Sequence, residues 1–111
     1  GLGRSLAAPV AVAQAPDTVH VVRFVLAAPG AQRVTLAGDF NGWSRDETPL
    51  QDVTGSGQWS VTLPLREGVH EYAFVVDGER WVADPFATTR RDEFGQESSL
   101  LRVGGDPVRG T

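Results

Sequence analysis

The stretch VHEYAFVVDGERWVADP, residues 69–85, predicts two strands joined by a tight turn. Tyr72, Phe74 and Val76 fall on one face of the first strand, and the intervening residues fall on the other. Asp77-Gly78 is a strong signal for a two-residue turn, because both central positions of such a turn favour positive φ. The segment RWVADP then supplies the second strand, so this stretch predicts a β-hairpin.

Four further segments outside the hairpin carry strand-like alternation. They are VHVVRFVLA (19–27), RVTLAG (33–38), QWSVTLPL (58–65) and SSLLRV (98–103). Turn residues bound them, and no segment shows the 3.6-residue apolar period of a helix. Short strands at this spacing predict an all-β, immunoglobulin-like sandwich of six to eight strands, with a β-barrel as the alternative.

The two ends of the chain differ in composition from this middle part. Residues 1–18 are rich in alanine and proline, and residues 104–111, GGDPVRGT, have the composition of a tail. The first segment is typical either of a flexible linker or of the exit from a secretory signal or membrane anchor, and it is too short to span a bilayer. Since the chain contains no methionine, Gly1 is not expected to be a natural start. The predicted sandwich therefore covers residues 19–103.

Charge and residue content argue against several classes of function. The net charge of -4 and the pI near 5.0 disfavour nucleic acid, which is bound through basic patches. The chain has no cysteine, and His20 and His70 lie on separate predicted strands without metal-ligand spacing. It also lacks a nucleophile elbow and a phosphate-binding glycine motif. We therefore expect a non-catalytic domain without a cofactor or metal.

The turn GDFNGW, residues 38–43, puts a tryptophan in a polar setting. Gly38 and Gly42 are expected to give the turn backbone freedom, because glycine adopts conformations that other residues avoid. Phe40 is expected to anchor the turn in the core, and the side chain of Asn41 to brace it. Trp43 would then be the face that the turn presents.

A second tryptophan, Trp81, follows the predicted hairpin turn and lies next to Arg80. Exposed indoles in polar surroundings are what stacking on the apolar face of a pyranose ring requires, and they are also typical of binding patches in general. Trp59, by contrast, alternates with the apolar residues of its strand and is assigned to core packing. The sequence thus offers two tryptophans as candidates for a binding surface.

The chain resembles the family-48 carbohydrate-binding modules over residues 19–103. This family includes the glycogen-binding domain of the AMP-activated protein kinase beta subunit and the early-set domains of isoamylases and branching enzymes. The resemblance rests on motifs in a fixed order: G-x-F-N-x-W at 38–43, P-L-x-E-G at 64–68, Y-x-F-x-V-D-G at 72–78, W-x-x-D-P at 81–85 and F-G-x-x-x-S-L-L-x-V at 94–103. It implies an early-set variant of the immunoglobulin-like sandwich.

The same resemblance implies the residues of a glycan site. Trp43 and Trp81 would form the stacking platform for an α-1,4-glucan. Phe94 would supply an apolar contact from a late loop, and Gln96 and Ser98 would bind hydroxyl groups.

Two positions depart from the pattern of the glycan-binding members. The family's strand lysine falls on Ala73, and a short serine, Ser98, stands where those members often carry asparagine. Arg80 or Arg90 is a candidate to replace the lost cation. These departures bear on affinity and leave the pair of tryptophans in place.

Two functions follow from these observations. The first is a non-catalytic module that binds α-glucan such as glycogen, starch or maltooligosaccharide. The second is an early-set domain that has lost glycan binding and packs against a partner domain, or forms the extracytoplasmic part of a membrane-anchored regulatory protein. A linked enzyme or regulatory domain is an expected partner in both. The domain is expected in the cytoplasm if it is attached to a glycogen enzyme. It is expected outside the cytoplasm if its N-terminal segment follows a secretory signal or a membrane anchor.

Overall fold

The computed structural model describes residues 19–104, which form seven strands. In chain order the strands are β1 (Val19–Ala27), β2 (Val34–Gly38), β3 (Gln58–Arg66), β4 (Gly68–Val76), β5 (Arg80–Val82), β6 (Thr88–Arg91) and β7 (Glu97–Val103). No helix within this range is long and apolar enough to cross a membrane. The predicted segment 1–18 and residues 105–111 of the predicted tail lie outside the described residues.

The strands form two antiparallel sheets of unequal size. The smaller sheet pairs β1 with β3, and the larger has the order β2-β4-β7-β6, with β5 also paired to β4. The two sheets share a core to which β1 contributes Phe24 and β4 contributes Tyr72, with ring centroids 4.9 Å apart. The chain therefore has the immunoglobulin-like sandwich that the alternation predicts, and it is not a closed barrel.

The predicted hairpin forms, but its connection has three residues, 77–79, and not two, because Val76 pairs with Arg80. Asp77 has a φ of 54° and Gly78 a φ of 78°, both in the left-handed region. Val34 and Leu36 of β2 are fully buried. The indole of Trp59 packs against the core, as predicted, and donates a hydrogen bond to the carbonyl of Ala28.

Two features differ from the sequence-based expectation. Strand β6, Thr88–Arg91, was not predicted, because all four of its residues are polar and exposed and it forms by pairing with β7. The strand at 80–85 is shorter than predicted and ends at Val82, and the next residues leave the sheet so that the amide of Asp84 donates to the hydroxyl of Ser99.

The outer face of the larger sheet is partly covered, and this cover creates the site. Ala73 and Val75 face outward by alternation with Phe74, yet both are buried. The segment between β2 and β3 folds back over this face, with the carbonyl of Arg45 accepting a hydrogen bond from the buried Thr35 hydroxyl. The last residues of β4 are consequently enclosed on both faces, and the GDFNGW turn at residues 38–43, the tryptophan turn, is held above the sheet.

Candidate functional site

The tryptophan turn is built on the edge of β2 that faces away from β4. The side-chain oxygen of Asn41 accepts the amide of Gly38 at 3.0 Å, and its amide nitrogen donates to the carbonyl of Leu36 and the hydroxyl of Thr48, both at 2.8 Å. The carbonyl of Gly38 in turn accepts the amides of Asn41 and Trp43. The expected brace is therefore present. It provides hydrogen-bond partners for main-chain groups of β2 that face away from β4.

The two glycines of the turn act in different ways. Gly42 has a φ of 69°, which is the backbone freedom expected of it. Gly38 has no positive φ. A β-carbon there would lie 2.6 Å from the ring of Phe40 and 2.9 Å from the carbonyl oxygen of Glu71, so glycine at this position provides room for close packing.

The left-handed conformation continues into Trp43, which has a φ of 60°. Trp43 is 39% exposed. Trp81 on β5 lies opposite Val75 of β4, and its ring centroid is 6.5 Å from that of Trp43 with 38° between the ring planes. The two tilted indoles form a shallow, partly exposed aromatic surface.

A second loop, the β6–β7 hairpin, approaches the same surface. The carboxylate of Asp92 accepts the amides of Phe94 at 2.8 Å and Gln96 at 2.9 Å, and the amide of Asp92 donates to the carbonyl of Gln96. These bonds close the hairpin around its tip. Phe94 stands on that tip and is 85% exposed.

An open groove of about 370 Å³ lies between the tryptophans and this hairpin. Its lining comprises Trp43, Glu71, Ala73, Trp81, Asp92, Gln96, Glu97 and Ser98. Four of the predicted site residues, Trp43, Trp81, Gln96 and Ser98, are thus brought together around one groove. Phe94 stands beside it without lining it, and Arg80 is an exposed residue of β5 that does not line it.

The floor of the groove carries carboxylates that the sequence-based prediction missed. Ser98 is buried and its hydroxyl donates to one carboxylate oxygen of Glu71, while the other oxygen lies 3.6 Å from the guanidinium of Arg90. Arg90 therefore reaches the edge of the site through Glu71. The strand alternation that puts Ala73 on the outer face also puts Glu71 there. Glu71 could therefore have been predicted as a groove residue from its two-residue spacing to Ala73.

A cation also lies beside the tryptophan pair, at a residue that the prediction did not name. The guanidinium carbon of Arg45 is 5.7 Å from the ring centroid of Trp81, within the range of a cation–π contact. No metal site accompanies these charges: residues 19–104 contain no group of three or more histidine, aspartate or glutamate side chains arranged to hold an ion.

His70 joins the root of the tryptophan turn to β4. One ring nitrogen lies 2.9 Å from a carboxylate oxygen of Asp39 and the other 2.8 Å from the carbonyl of Arg66, so both nitrogens face acceptors. The second oxygen of Asp39 accepts the amide of Glu71. Burial lowers the pKa of His70, but the bonds to Arg66 and Asp39 and the charge of Asp39 outweigh it and raise the pKa above 6.5.

This arrangement predicts a pH-dependent stability. Because the folded pKa of His70 is raised, the stabilisation is fully present below pH 6.5 and is lost as pH rises through the higher folded pKa. We expect the free energy of unfolding, measured by urea denaturation, to fall over that window. In His70→Gln the unfolding free energy should decrease less with rising pH. His20→Gln, which removes the chain's other histidine, should show the same decrease as the unaltered chain. A fall of equal size in His70→Gln would contradict this assignment.

Comparisons with known proteins bear on the identity of this fold and site. The family model described as the glycogen recognition site of AMP-activated protein kinase matches residues 14–109. The 1,4-alpha-glucan branching enzyme GlgB of Mycobacterium ulcerans is 41% identical over 83 residues, which are 71% of this chain and 11% of that enzyme. GlgB of Bacillus cytotoxicus is 36% identical over 91 residues, which are 78% of this chain and 14% of that enzyme.

Solved structures support the fold. The enterobactin esterase FES of Shigella flexneri superposes with a TM-score of 0.67 at 16% identity, over 86% of this chain and 33% of the esterase chain. The chain spans only a small part of the branching enzymes and about a third of the esterase, so the similarity is confined to one part of each protein. With a family match over nearly its whole length, the chain belongs to the family of the glycogen recognition site of AMP-activated protein kinase, the family-48 carbohydrate-binding modules.

Proposed function

We propose that this domain is a non-catalytic module that binds α-1,4-glucan in the groove beneath Trp43 and Trp81. The observation that carries the proposal is the pair of tilted indoles, 6.5 Å between centroids, at the mouth of that groove. The apolar C–H face of a glucose ring packs on an indole face, and consecutive glucose units of a curved glucan meet two rings that are tilted relative to each other.

Hydroxyl groups of the sugar would meet the polar lining. The carboxylates of Glu71 and Glu97 accept hydrogen bonds, and the amide of Gln96 both donates and accepts. Carboxylate acceptors suit the hydroxyl pairs of a glucose unit, because each hydroxyl donates one hydrogen bond. Phe94, exposed on the neighbouring hairpin, would contact the glucan from the side.

Ala73 determines how this site differs from members with the strand lysine. It is buried at the floor of the groove and offers no polar group, and the cation in contact with the platform is Arg45, over the ring of Trp81. We propose that recognition here depends on stacking and on carboxylate acceptors. Two stacks and a few hydrogen bonds, at roughly 1 kcal/mol each, give an affinity on the order of micromolar to millimolar after the costs of association.

Such a module acts by localisation. A weak site on a linked domain raises the effective concentration of its parent protein at a polymer that offers many copies of the same unit. We propose that the parent protein is held at glycogen- or starch-like glucan in this way.

Titration with maltoheptaose and β-cyclodextrin, followed by calorimetry and tryptophan fluorescence, tests the proposal. We expect saturable binding of both sugars and none of cellohexaose, whose β-1,4 linkage gives a straight chain. Absence of binding at millimolar sugar would overturn it and favour the alternative, an early-set domain whose tryptophans pack against a partner domain.

Arg45→Gln tests the contribution of the cation. Removing the guanidinium from the face of Trp81 should weaken β-cyclodextrin binding about two- to fivefold, the equivalent of about 0.5–1 kcal/mol for an exposed cation–π contact. Arg80→Gln is the matched control, because Arg80 adjoins Trp81 in sequence but does not line the groove. Calorimetry on both variants gives the comparison, and a larger loss in Arg80→Gln would assign the cation to Arg80 instead.

A further inference from the structure

The smaller sheet has an unpaired edge along β1. Within residues 19–104, β1 pairs only with β3, over its whole length from Val19 opposite Arg66 to Ala27 opposite Gln58. Ser60 of β3 exchanges both main-chain hydrogen bonds with Gln51, each at 2.9 Å, and so directs its main-chain groups away from β1.

The register then fixes which main-chain groups of β1 are free. Val25 lies opposite Ser60, and in an antiparallel pair such a residue also directs its amide and carbonyl away from the partner strand. The same holds at every second residue, so Arg23 and Val21 present free amides and carbonyls as well. Pro64, which has no amide hydrogen, lies opposite Val21 and is consistent with this assignment, because proline in a sheet is tolerated where its nitrogen faces outward.

The two edges of the smaller sheet are thus unlike. The β3 edge is closed in part by Gln51 and carries Pro64, a residue that blocks strand addition. The β1 edge is a strand of nine residues without proline, and Val21 on it is 76% exposed. A long apolar edge of this kind is a template for pairing with another strand unless something covers it.

A cleft adjoins this edge because the smaller sheet has too few strands to cover the larger one. The cleft, of about 340 Å³, lies between β1 and β7 and includes Val22 and Leu101, which pack on the core but remain partly exposed. Phe86, in the connection from β5 to β6, lines the cleft and is 94% exposed. Apolar surface is therefore present where a third strand of the smaller sheet would project its inward side chains.

The charge of this cleft is opposite to that of the chain. Arg23 and Arg102 both line it and are exposed, and neither has a carboxylate partner within the part of the chain that the structure describes. Asp84 lies there too, but its carboxylate accepts the hydroxyl of Tyr72 and the amide of Phe86. Three other surface arginines do have carboxylate partners, in the pairs Arg33–Asp46, Arg90–Glu71 and Arg91–Glu97.

We propose that the β1 edge docks an extended acidic segment of a partner protein as a third strand of the smaller sheet. Main-chain bonds to Val21, Arg23 and Val25 would hold it. Its apolar side chains would alternate into the cleft against Phe86 and Leu101. Its acidic side chains would lie on the outer face beside Arg23, because directly opposite residues of paired strands share a face.

The probe for this test is a capped peptide of four Val-Glu repeats, added to the full 111-residue chain labelled with ¹⁵N. We expect saturable shifts and slowed hydrogen exchange at the amides of Val21, Arg23 and Val25. A peptide of four Val-Lys repeats should bind about tenfold or more weakly, since charge complementarity is reversed. No shifts at β1, or equal binding of the two peptides, would overturn the proposal.

Two proline variants separate edge pairing from general disruption. Arg23→Pro removes an outward amide and leaves the bonds to β3 intact, so it should abolish peptide binding while circular dichroism shows an intact fold. Thr62→Pro makes the matched change on the β3 edge, opposite Arg23, and should leave binding unchanged. Binding by Arg23→Pro equal to that of the unaltered chain would contradict strand addition.

The same spectra test other occupants of the edge. If the β1 amides are protected from hydrogen exchange in a dilute solution of the chain without peptide, another part of the chain covers the edge. Protection that grows with protein concentration, with a dimer in sedimentation, would mean that a second copy does. Either result would overturn the proposal.

Discussion

Replacing Trp43 by asparagine is expected to weaken the binding of β-cyclodextrin by about ten- to a hundredfold. The substitution removes one of the two stacking surfaces, and an aromatic contact contributes about 0.5–1.5 kcal/mol beyond the apolar area that it buries. Asparagine is the suitable replacement because Trp43 has a φ of 60°, a left-handed conformation that asparagine tolerates better than most residues. The variant therefore removes the ring without adding strain to the turn.

Trp59→Phe is the matched control for this experiment. Trp59 packs on the core from the smaller sheet, and its ring nitrogen bonds to Ala28, so it lies outside the groove. It should lose stability without losing affinity at a temperature where the variant is folded. Trp81→Ala should behave like Trp43→Asn, because the two rings act as one platform. Calorimetric titration that gives equal affinity for the unaltered chain and Trp43→Asn would refute stacking at this position.

Much of the fold was predictable because its signals are local. The positive φ of Asp77 and Gly78 and the alternating pattern of β4 need only neighbouring residues to specify them, and both are found as expected. The third residue of the connection, Glu79, was not predicted. Strand β6 has no such signal. Its residues Thr88–Arg91 are polar and exposed on both faces, and only the pairing partner β7, several residues away, makes them a strand.

The residues of the candidate site also differ in how far local sequence signals predict them. The tryptophans, Gln96 and Ser98 were found through sequence motifs, and the structure brings them to one groove. Arg45 was missed because its place at the groove depends on how the β2–β3 connection folds over the sheet. Glu71 was missed although strand alternation puts it on the same face of β4 as Ala73. Arg80 was chosen for its position next to Trp81, but neighbours in a strand face opposite sides, and Arg80 does not line the groove.

The arrangement of the two indoles depends on both the turn and the larger sheet. Trp43 is placed by hydrogen bonds to the outward edge of β2, whereas Trp81 is placed by pairing of β5 with β4. The distance between the rings therefore depends on the junction of two separately supported elements. Within the turn, the hydrogen bonds to β2 converge on the side chain of Asn41, so this side chain is the target.

Asn41→Ala is accordingly expected to cost about 2–6 kcal/mol of unfolding free energy and to lower glucan affinity. Alanine leaves the amide of Gly38 and the carbonyl of Leu36 without their partner, and each unmet buried group costs about 1–3 kcal/mol. Leu36 is fully buried, so water does not replace the lost bond there. The carbonyl of Gly38 also accepts the amide of Trp43, and loosening this corner therefore displaces the indole.

Asn41→Asp and Ser44→Ala make this prediction specific. Aspartate keeps an acceptor for the amide of Gly38 but sets a carboxylate against the carbonyl of Leu36. Its pKa should be raised in the folded state, and stability should recover as pH falls, because the protonated acid donates where the amide did. Ser44 braces the same loop through exposed bonds to the amides of Asp46 and Glu47, and water replaces these, so Ser44→Ala should cost about 1 kcal/mol or less. Urea denaturation and β-cyclodextrin titration of the three variants give the order. A loss in Asn41→Ala no larger than that in Ser44→Ala would show that the brace does not hold the platform.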